Sequence, residues 1–190
     1  NRAHSGKQAL QSVLWAQDYF ENISIDLLYG TPHTSFMDWE KNLKTALSLD
    51  VAHISSYALT LEPKTALDHF VNKGVVSLLH ENDVEKQFLY LVEELTNVGY
   101  DHYELSSFGK PGFWSKNNTA YWQGKPYIGI GPSAHGFDGK QRYWNINNNS
   151  TYIRKIEQNE IPQTIENLSI IDRYNESIMI GLRASWGVSL

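Results

Sequence analysis

"NISIDLLYG", residues Asn22 to Gly30, decides how the rest of the chain is read. It is a short run of β-branched and apolar residues, stopped by Gly30 and then Pro32. That pattern reads as a buried strand. One residue breaks it. Asp26 is unfavourable inside a strand, where alternate residues share a face. Its carboxylate points either to solvent, paired with a neighbouring Lys or Arg, or into a site near the strand's C-terminal end. In βα sheets and barrels that end is where ligands bind.

Working outward, the same alternation of helix and strand recurs. "SGKQALQSVLWAQDYF" (5–20) places Leu10, Val13, Leu14 and Ala16 near helical spacing, with Ser5 as N-cap. "TSFMDWEKNLKTALSL" is helical, with Phe36, Trp39, Leu43, Ala46 and Leu47 on one face and Thr34 or Ser35 as cap. "AHISSYALTLE" is a second strand closed by Pro63, and residues 65–73 form a short helix. "ENDVEKQFLYLVEELTNVG" is a long helix with Val84, Phe88, Leu91, Val92 and Leu95 in register and Gly99 at its end. "YDHYELSSF" is a third strand. Helices alternating with strands at this spacing favour βα units on a parallel sheet. Three units are too few to close an eight-stranded barrel, so the sheet is small and open or part of a larger barrel.

After residue 106 the character changes. "FGKPGFWSKNN" is rich in loop formers, and "PYIGIGPSAHGFDGKQRYWNINNN" reads as irregular strands. "STYIRKIEQN" reads as a short helix, and "ENLSIIDRYNESIMIGLRASWGVSL" as a helix ending at Gly187. A boundary falls near 159–167. The opening "NRAHSGKQAL" has no initiator methionine and reads as the middle of a longer chain.

Composition narrows the function classes. The chain has 190 residues, 41% hydrophobic and 19% charged, a globular balance. A net charge of −5 and the lack of any basic run argue against non-specific nucleic-acid binding. No apolar stretch is long enough to span a bilayer, and no signal peptide leads the chain, so the expected location is cytoplasmic. There is no cysteine, which removes disulfides, thiolate zinc sites and a thiolate-held iron–sulfur cluster from this stretch of chain.

Several groups are candidates for chemistry. Asp26, Glu62 and Glu104 stand near three successive strands and would serve acid–base work or a metal if they met. Otherwise they are exposed or paired carboxylates. None of the seven histidines (4, 33, 53, 69, 80, 102 and 135) has i, i+4 spacing with another, so they read as surface or satisfied structural residues, with no zinc site. "GIGPSAHG" lacks the helix and distant acid of a dinucleotide fingerprint; close backbone packing explains its glycines better. Trp15 and Trp39 read as core. Tyr121, Trp122, Tyr143 and Trp144 would line a pocket for a flat ligand.

Six segments in order, "NRAHSGKQAL", "ISIDLLYGTP", "HISSYALTLEPKTAL", "GYDHYELSSFGKPG", "NNTAYWQGKPYIGIGPSAHGF" and "LRASWGVSL", resemble the oxygen-independent coproporphyrinogen III oxidase family of radical S-adenosylmethionine (SAM) proteins. The resemblance covers essentially the whole chain. The "YW…Y-x-GIG-x-x-A-H" segment is more similar to the heme-chaperone (HemW-like) branch than to the true oxidase.

The resemblance implies an α/β fold: the C-terminal half of a partial (β/α)6 radical SAM barrel, then an α+β extension, then the start of a small helical C-terminal domain. The implied divisions are 1–110, 111–163 and 164–190. Barrel strands four, five and six fall at about 23–29, 53–59 and 101–106. It implies SAM and a [4Fe–4S] cluster in the full-length protein, the cluster on a cysteine loop absent here. Arg2 matches the arginine that meets the SAM carboxylate, and Asp26 the acid that accepts from its ribose hydroxyls. Leu28 and Thr60 match positions beside the adenine. No catalytic or metal-ligating residue carries over, and this fragment alone is expected to be inactive.

The implied function is oxidative decarboxylation of porphyrinogen propionates in heme biosynthesis. The alternative is a heme chaperone, and a second alternative, apart from the resemblance, is an unrelated α/β hydrolase or sugar-binding module. Porphyrinogen or heme is the implied partner, with an electron donor that the sequence does not identify. Asn117, Asn118, Tyr121 and Trp122 mark the heme or substrate pocket. The branch normally has histidine where Asn117 stands, and asparagine is not a useful axial ligand. "YGTPHTS" departs from the usual "YGxPGQT", with His33 in place of glycine. An uncovered strand edge and inward apolar surface predict self-association of the fragment.

Overall fold

The computed structural model describes residues 4–188. They form two compact units, 1–114 and 115–190.

In the first unit the order is α1 (Gly6–Gln17), β1 (Ser24–Tyr29), α2 (Phe36–Ser48), β2 (His53–Ala58), α3 (Ala66–Asn72), α4 (Glu81–Asn97), β3 (Asp101–Glu104) and β4 (Ser107–Gly109). The helix starts are set by side-chain oxygens that satisfy otherwise orphan N–H groups. Ser5 and Ser35 each form a capping box, with Gln8 and Asp38 respectively, and Thr65 caps α3. The four strands lie in the order β1-β2-β4-β3. β1 and β2 run parallel with Asp26 opposite Ser55 and Leu28 opposite Tyr57. One face of the sheet meets α2 and α4. Trp39, Leu43, Ile54, Leu91, Leu95 and Phe108 are essentially without solvent exposure there. Trp39 Nε1 also donates to the Gln87 carbonyl at 3.0 Å, and Gln87 Oε1 accepts from the Gly30 N–H at 2.8 Å. These bonds satisfy polar groups that burial would otherwise leave unpaired.

Two expectations change here. The segment read as one strand, "YDHYELSSF", is a hairpin: β3 and β4 are antiparallel with an irregularity between His102 and Glu104, and β4 pairs antiparallel with β2. Only Leu105 and Ser106 separate the two strands, and so short a link cannot join parallel neighbours. Trp15, read as core, is 63% exposed. On α1 only Val13 packs against the core cluster, while Leu10 and Leu14 are exposed. Helical spacing tells which residues share a face, not what that face meets.

In the second unit the order is α5 (Lys116–Trp122), β5 (His135–Phe137), β6 (Gln141–Asn145), α6 (Asn149–Glu157), β7 (Gln163–Asn167) and α7 (Ile170–Arg183). Three antiparallel strands lie in the order β5-β6-β7. Neither α5 nor β7 is evident from the sequence, and α7 ends before Gly187. Here glycine allows close approach. A Cβ on Gly136 would stand 2.0 Å from the Tyr143 ring, and one on Gly129 would stand 2.2 Å from the His135 carbonyl oxygen. The packing reading of "GIGPSAHG" holds for Gly129 and Gly136, whereas Gly131 stands in open space and instead adopts φ +100°.

Candidate functional site

Alternation along β1 sends Ile25, Leu27 and Tyr29 to the helix-covered core and leaves Ser24, Asp26 and Leu28 on the other face. Asp26 is exposed and makes no side-chain hydrogen bond or ion pair among the described residues. No Lys or Arg among the described residues pairs with it, as the simplest structural reading would require. Leu28, 49% exposed, stands two residues further toward the strand's C-terminal end. Thr60 is exposed just beyond the end of neighbouring β2. It helps line a cleft of about 720 Å³ with Tyr57, Leu59, Leu78, Val84 and Phe88. Asp26 thus sits mid-strand and Leu28 nearer the C-terminal end of β1, while Thr60 lies past the end of β2. Arg2 lies outside the described residues.

Beside Asp26 runs a row that sequence reasoning missed. Ser24 Oγ lies 2.7 Å from His53 Nδ1, and His53 Nε2 lies 2.8 Å from the Tyr103 hydroxyl. Both imidazole nitrogens are used, so one donates and the other accepts. Burial pushes the His53 pKa down, against the opposing pull of Asp26 and Glu104. Tyr103 in turn stacks on Trp114 with ring centres 5.0 Å apart. His53 is thus the satisfied structural histidine that the sequence allowed. Its partners come from separate strands, so no local spacing announced them.

The three-carboxylate idea fails on geometry. Glu104 is buried, Glu62 is exposed in the loop after β2, and no group of three His, Asp or Glu residues among the described residues is placed to hold a metal.

In the second unit the aromatic candidates separate. Tyr121 and Trp122 line a cleft of about 780 Å³ between the end of α5, β5, β6 and α7. Asn117 is exposed on the first turn of α5, and the Asn118 N–H is capped by Ser115 Oγ at 3.3 Å; neither is among the cleft's lining residues. Tyr143 lies over Gly136, and Trp144 stacks on His135 at 6.0 Å. Trp122 is not an open platform, because the Arg183 guanidinium covers one ring face at 4.5 Å. Its buried Nε1 finds no acceptor among the described residues. Tyr121 meets Tyr127 edge-on at 4.5 Å. Arg142 Nη2 donates to Glu176 Oε1 at 2.7 Å, which holds the guanidinium pKa above its usual value. A cleft of this size, apolar with a few charged groups, suits a small organic ligand.

The loop after β1 explains one departure from the family pattern. His33 has φ +61°, the left-handed region that glycine adopts freely. A side chain here therefore sits in a backbone conformation that L residues rarely adopt.

No protein-family model matches the chain. It is 34% identical over 190 residues to the heme chaperone HemW of Bacillus subtilis, covering 99% of this chain and 50% of that protein. It is 34% identical over 188 residues to HemW of Lactococcus lactis, covering 98% and 49%. It is 35% identical over 136 residues to the mitochondrial radical S-adenosyl methionine domain-containing protein 1 of Danio rerio, covering 71% and 31%. The chain spans about half the length of the HemW proteins it matches. Among solved structures it superposes on coproporphyrinogen III oxidase (HemN) from Escherichia coli, a radical SAM enzyme, with a TM-score of 0.74 and 17% identity over 97% of this chain and 45% of that one. The α/β fold is that of the matching part of the radical SAM enzyme, and the ordered segments that carry the sequence resemblance run through both units. The chain belongs to the family of radical SAM proteins that includes the heme chaperone HemW and coproporphyrinogen III oxidase HemN.

Proposed function

We propose that this chain is the part of a heme-handling radical SAM protein that binds the nucleoside side of SAM and offers a tetrapyrrole site, and that the whole protein carries heme rather than oxidising porphyrinogen. The observation that carries the reading is the 780 Å³ cleft, with Tyr121 and Trp122 set among arginines, in a chain whose relatives at 34% identity are named heme chaperones. Aromatic walls suit a flat macrocycle, and guanidinium groups suit its carboxylates.

The residues present fit part of a SAM site. An exposed carboxylate at Asp26, without a partner among the described residues, suits the two ribose hydroxyls as an acceptor. Leu28 and Thr60 stand where an adenine would meet one apolar and one polar contact. Arg2 is the proposed partner of the SAM carboxylate. They do not fit a cluster: the 190 residues contain no cysteine, so thiolate ligands are not among them. Held beside a reduced cluster, SAM supplies a hydrogen-abstracting radical. What these residues contribute is binding and orientation.

Iron ligation through Asn117 is not part of the proposal, because an amide is a poor axial ligand. The proposed surroundings are cytoplasmic; no helix among the described residues is long and apolar enough to cross a membrane. As an isolated chain the protein is expected to self-associate, since β1 is an edge strand and Leu28, Tyr57 and Leu105 are exposed.

The test is an anaerobic assay of the full-length protein, reconstituted with iron and sulfide, given SAM and either coproporphyrinogen or heme. Stoichiometric heme uptake without decarboxylation is expected, and decarboxylation would replace this reading by the oxidase. In the same protein Asp26→Asn should weaken SAM binding about tenfold or more and leave heme uptake unchanged, as expected for loss of a charged hydrogen bond. Unchanged SAM affinity would remove Asp26 from the site.

A further inference from the structure

The arginines of the 780 Å³ cleft are not equivalent. Arg142 is committed to Glu176 at 2.7 Å and also faces Glu166 at 3.7 Å. Arg183 lies over the Trp122 ring at 4.5 Å. Arg173, on α7 one turn before Glu176, lines the same cleft, is exposed, and has no carboxylate within 4.0 Å among the described residues. It also lines the adjoining cleft of about 560 Å³, together with Lys140. A free guanidinium therefore stands at the junction of two recesses. A cation at the rim of an apolar cleft stays hydrated when the cleft is empty and can fork onto a carboxylate when a ligand fills it. Arg142 cannot change partner so cheaply, because releasing it would strand Glu176.

We propose that Arg173 reads the peripheral carboxylates of a planar tetrapyrrole whose ring occupies the cleft beside Tyr121, Tyr127 and Met179. This rests on the tetrapyrrole reading above and deepens it. It assigns selectivity for side-chain acids to Arg173 and leaves the Arg142–Glu176 pair as a fixed wall. Neutral macrocycles would enter the same cleft more weakly, through ring contacts alone.

The test titrates the full-length protein with iron(III) mesoporphyrin IX and with its dimethyl ester, followed by the porphyrin absorption band and by quenching of tryptophan fluorescence. The diacid should bind about tenfold or more tighter than the diester, a preference that weakens with added salt. Arg173→Gln should bring the two affinities within about twofold of each other without altering that of the diester. Arg173→Lys should restore part of the preference, because it keeps the charge and loses the fork. A diacid preference that survives Arg173→Gln unchanged overturns the assignment while leaving the tetrapyrrole site standing. So does equal binding of both porphyrins by the unmodified protein. Failure of both porphyrins to bind overturns the site and this inference together.

Discussion

The two units are built on different physical terms. In the first, a sheet face and two helices enclose a core in which Trp39, Leu43, Ile54, Leu91 and Leu95 are essentially solvent-free. In the second, the buried hydrophobic side chains are replaced by half-exposed ones. Order there comes from aromatic rings over glycines, the Arg142–Glu176 pair, and Asn145 Nδ2 donating to the Gly131 carbonyl at 2.9 Å. The first arrangement suits a rigid scaffold that presents Asp26 and Leu28 on its uncovered face. The second leaves open recesses with charged rims. Close packing holds residues to fixed positions, whereas a partly filled unit keeps space for a ligand.

The largest test of that contrast is Trp39→Ala. It removes a fully buried indole and its hydrogen bond to Gln87, and should cost about 3–5 kcal/mol in urea unfolding of the first unit. Tyr121→Ala in the second unit should cost much less, because that ring is 38% exposed. Comparable losses from the two would erase the distinction.

A smaller effect probes the second unit's own mode of packing. Gly136→Ala places a methyl group 2.0 Å from the Tyr143 ring and should cost about 1–3 kcal/mol. The cost should largely vanish in a Tyr143→Ala background. A double-mutant cycle with no coupling would show that the aromatic–glycine contact contributes nothing.

The smallest effect concerns the polar row beside Asp26. Burial lowers the His53 pKa, so the folded protein takes up this proton at lower pH than the unfolded chain does. The stability associated with neutral His53 is complete above the unfolded value of about 6.5 and is lost as pH falls from there toward the folded one. Urea midpoints should therefore drop between pH 7.5 and 5.5, and His53→Gln should flatten part of that slope. An identical slope in the variant would mean that other groups carry the acid sensitivity.

Much of the first unit was legible in the chain. "NISIDLLYG" marked β1 as a strand, but its apolar run suggested burial on both faces, whereas β1 is an edge strand with Ser24, Asp26 and Leu28 exposed. The faces of α2 and α4 follow from their 3.6-residue repeat, and of the two caps the sequence allowed, Thr34 or Ser35, the structure uses Ser35. The β3–β4 hairpin was not legible, because a turn at Leu105–Ser106 carries no glycine or proline to mark it. The second unit was harder still. α5 is seven residues long and opens after a loop-rich stretch, and β7 is exposed along its length, so neither shows a hydrophobic period.

Of the candidate site, Asp26 and Leu28 share the exposed face of β1, and Thr60 lines a cleft beyond the end of β2 that includes neither of them. Tyr121 and Trp122 reached a cleft, and their neighbours Asn117 and Asn118 did not. Residues four apart share a helix face, so the separation is along the axis: Asn117 and Asn118 lie in the first turn of α5, and the cleft lining begins at Tyr121 in its last. The sequence by itself determined the local periods, the caps, the lack of thiolate ligands and the family. Tertiary structure alone decided that His53 joins Ser24 to Tyr103, that Arg183 covers Trp122, and that Arg173 lines the cleft with no carboxylate within 4.0 Å among the described residues. Those relations join residues up to 61 positions apart (Trp122 and Arg183). Local pattern cannot encode such contacts, because they exist only once separate elements have packed.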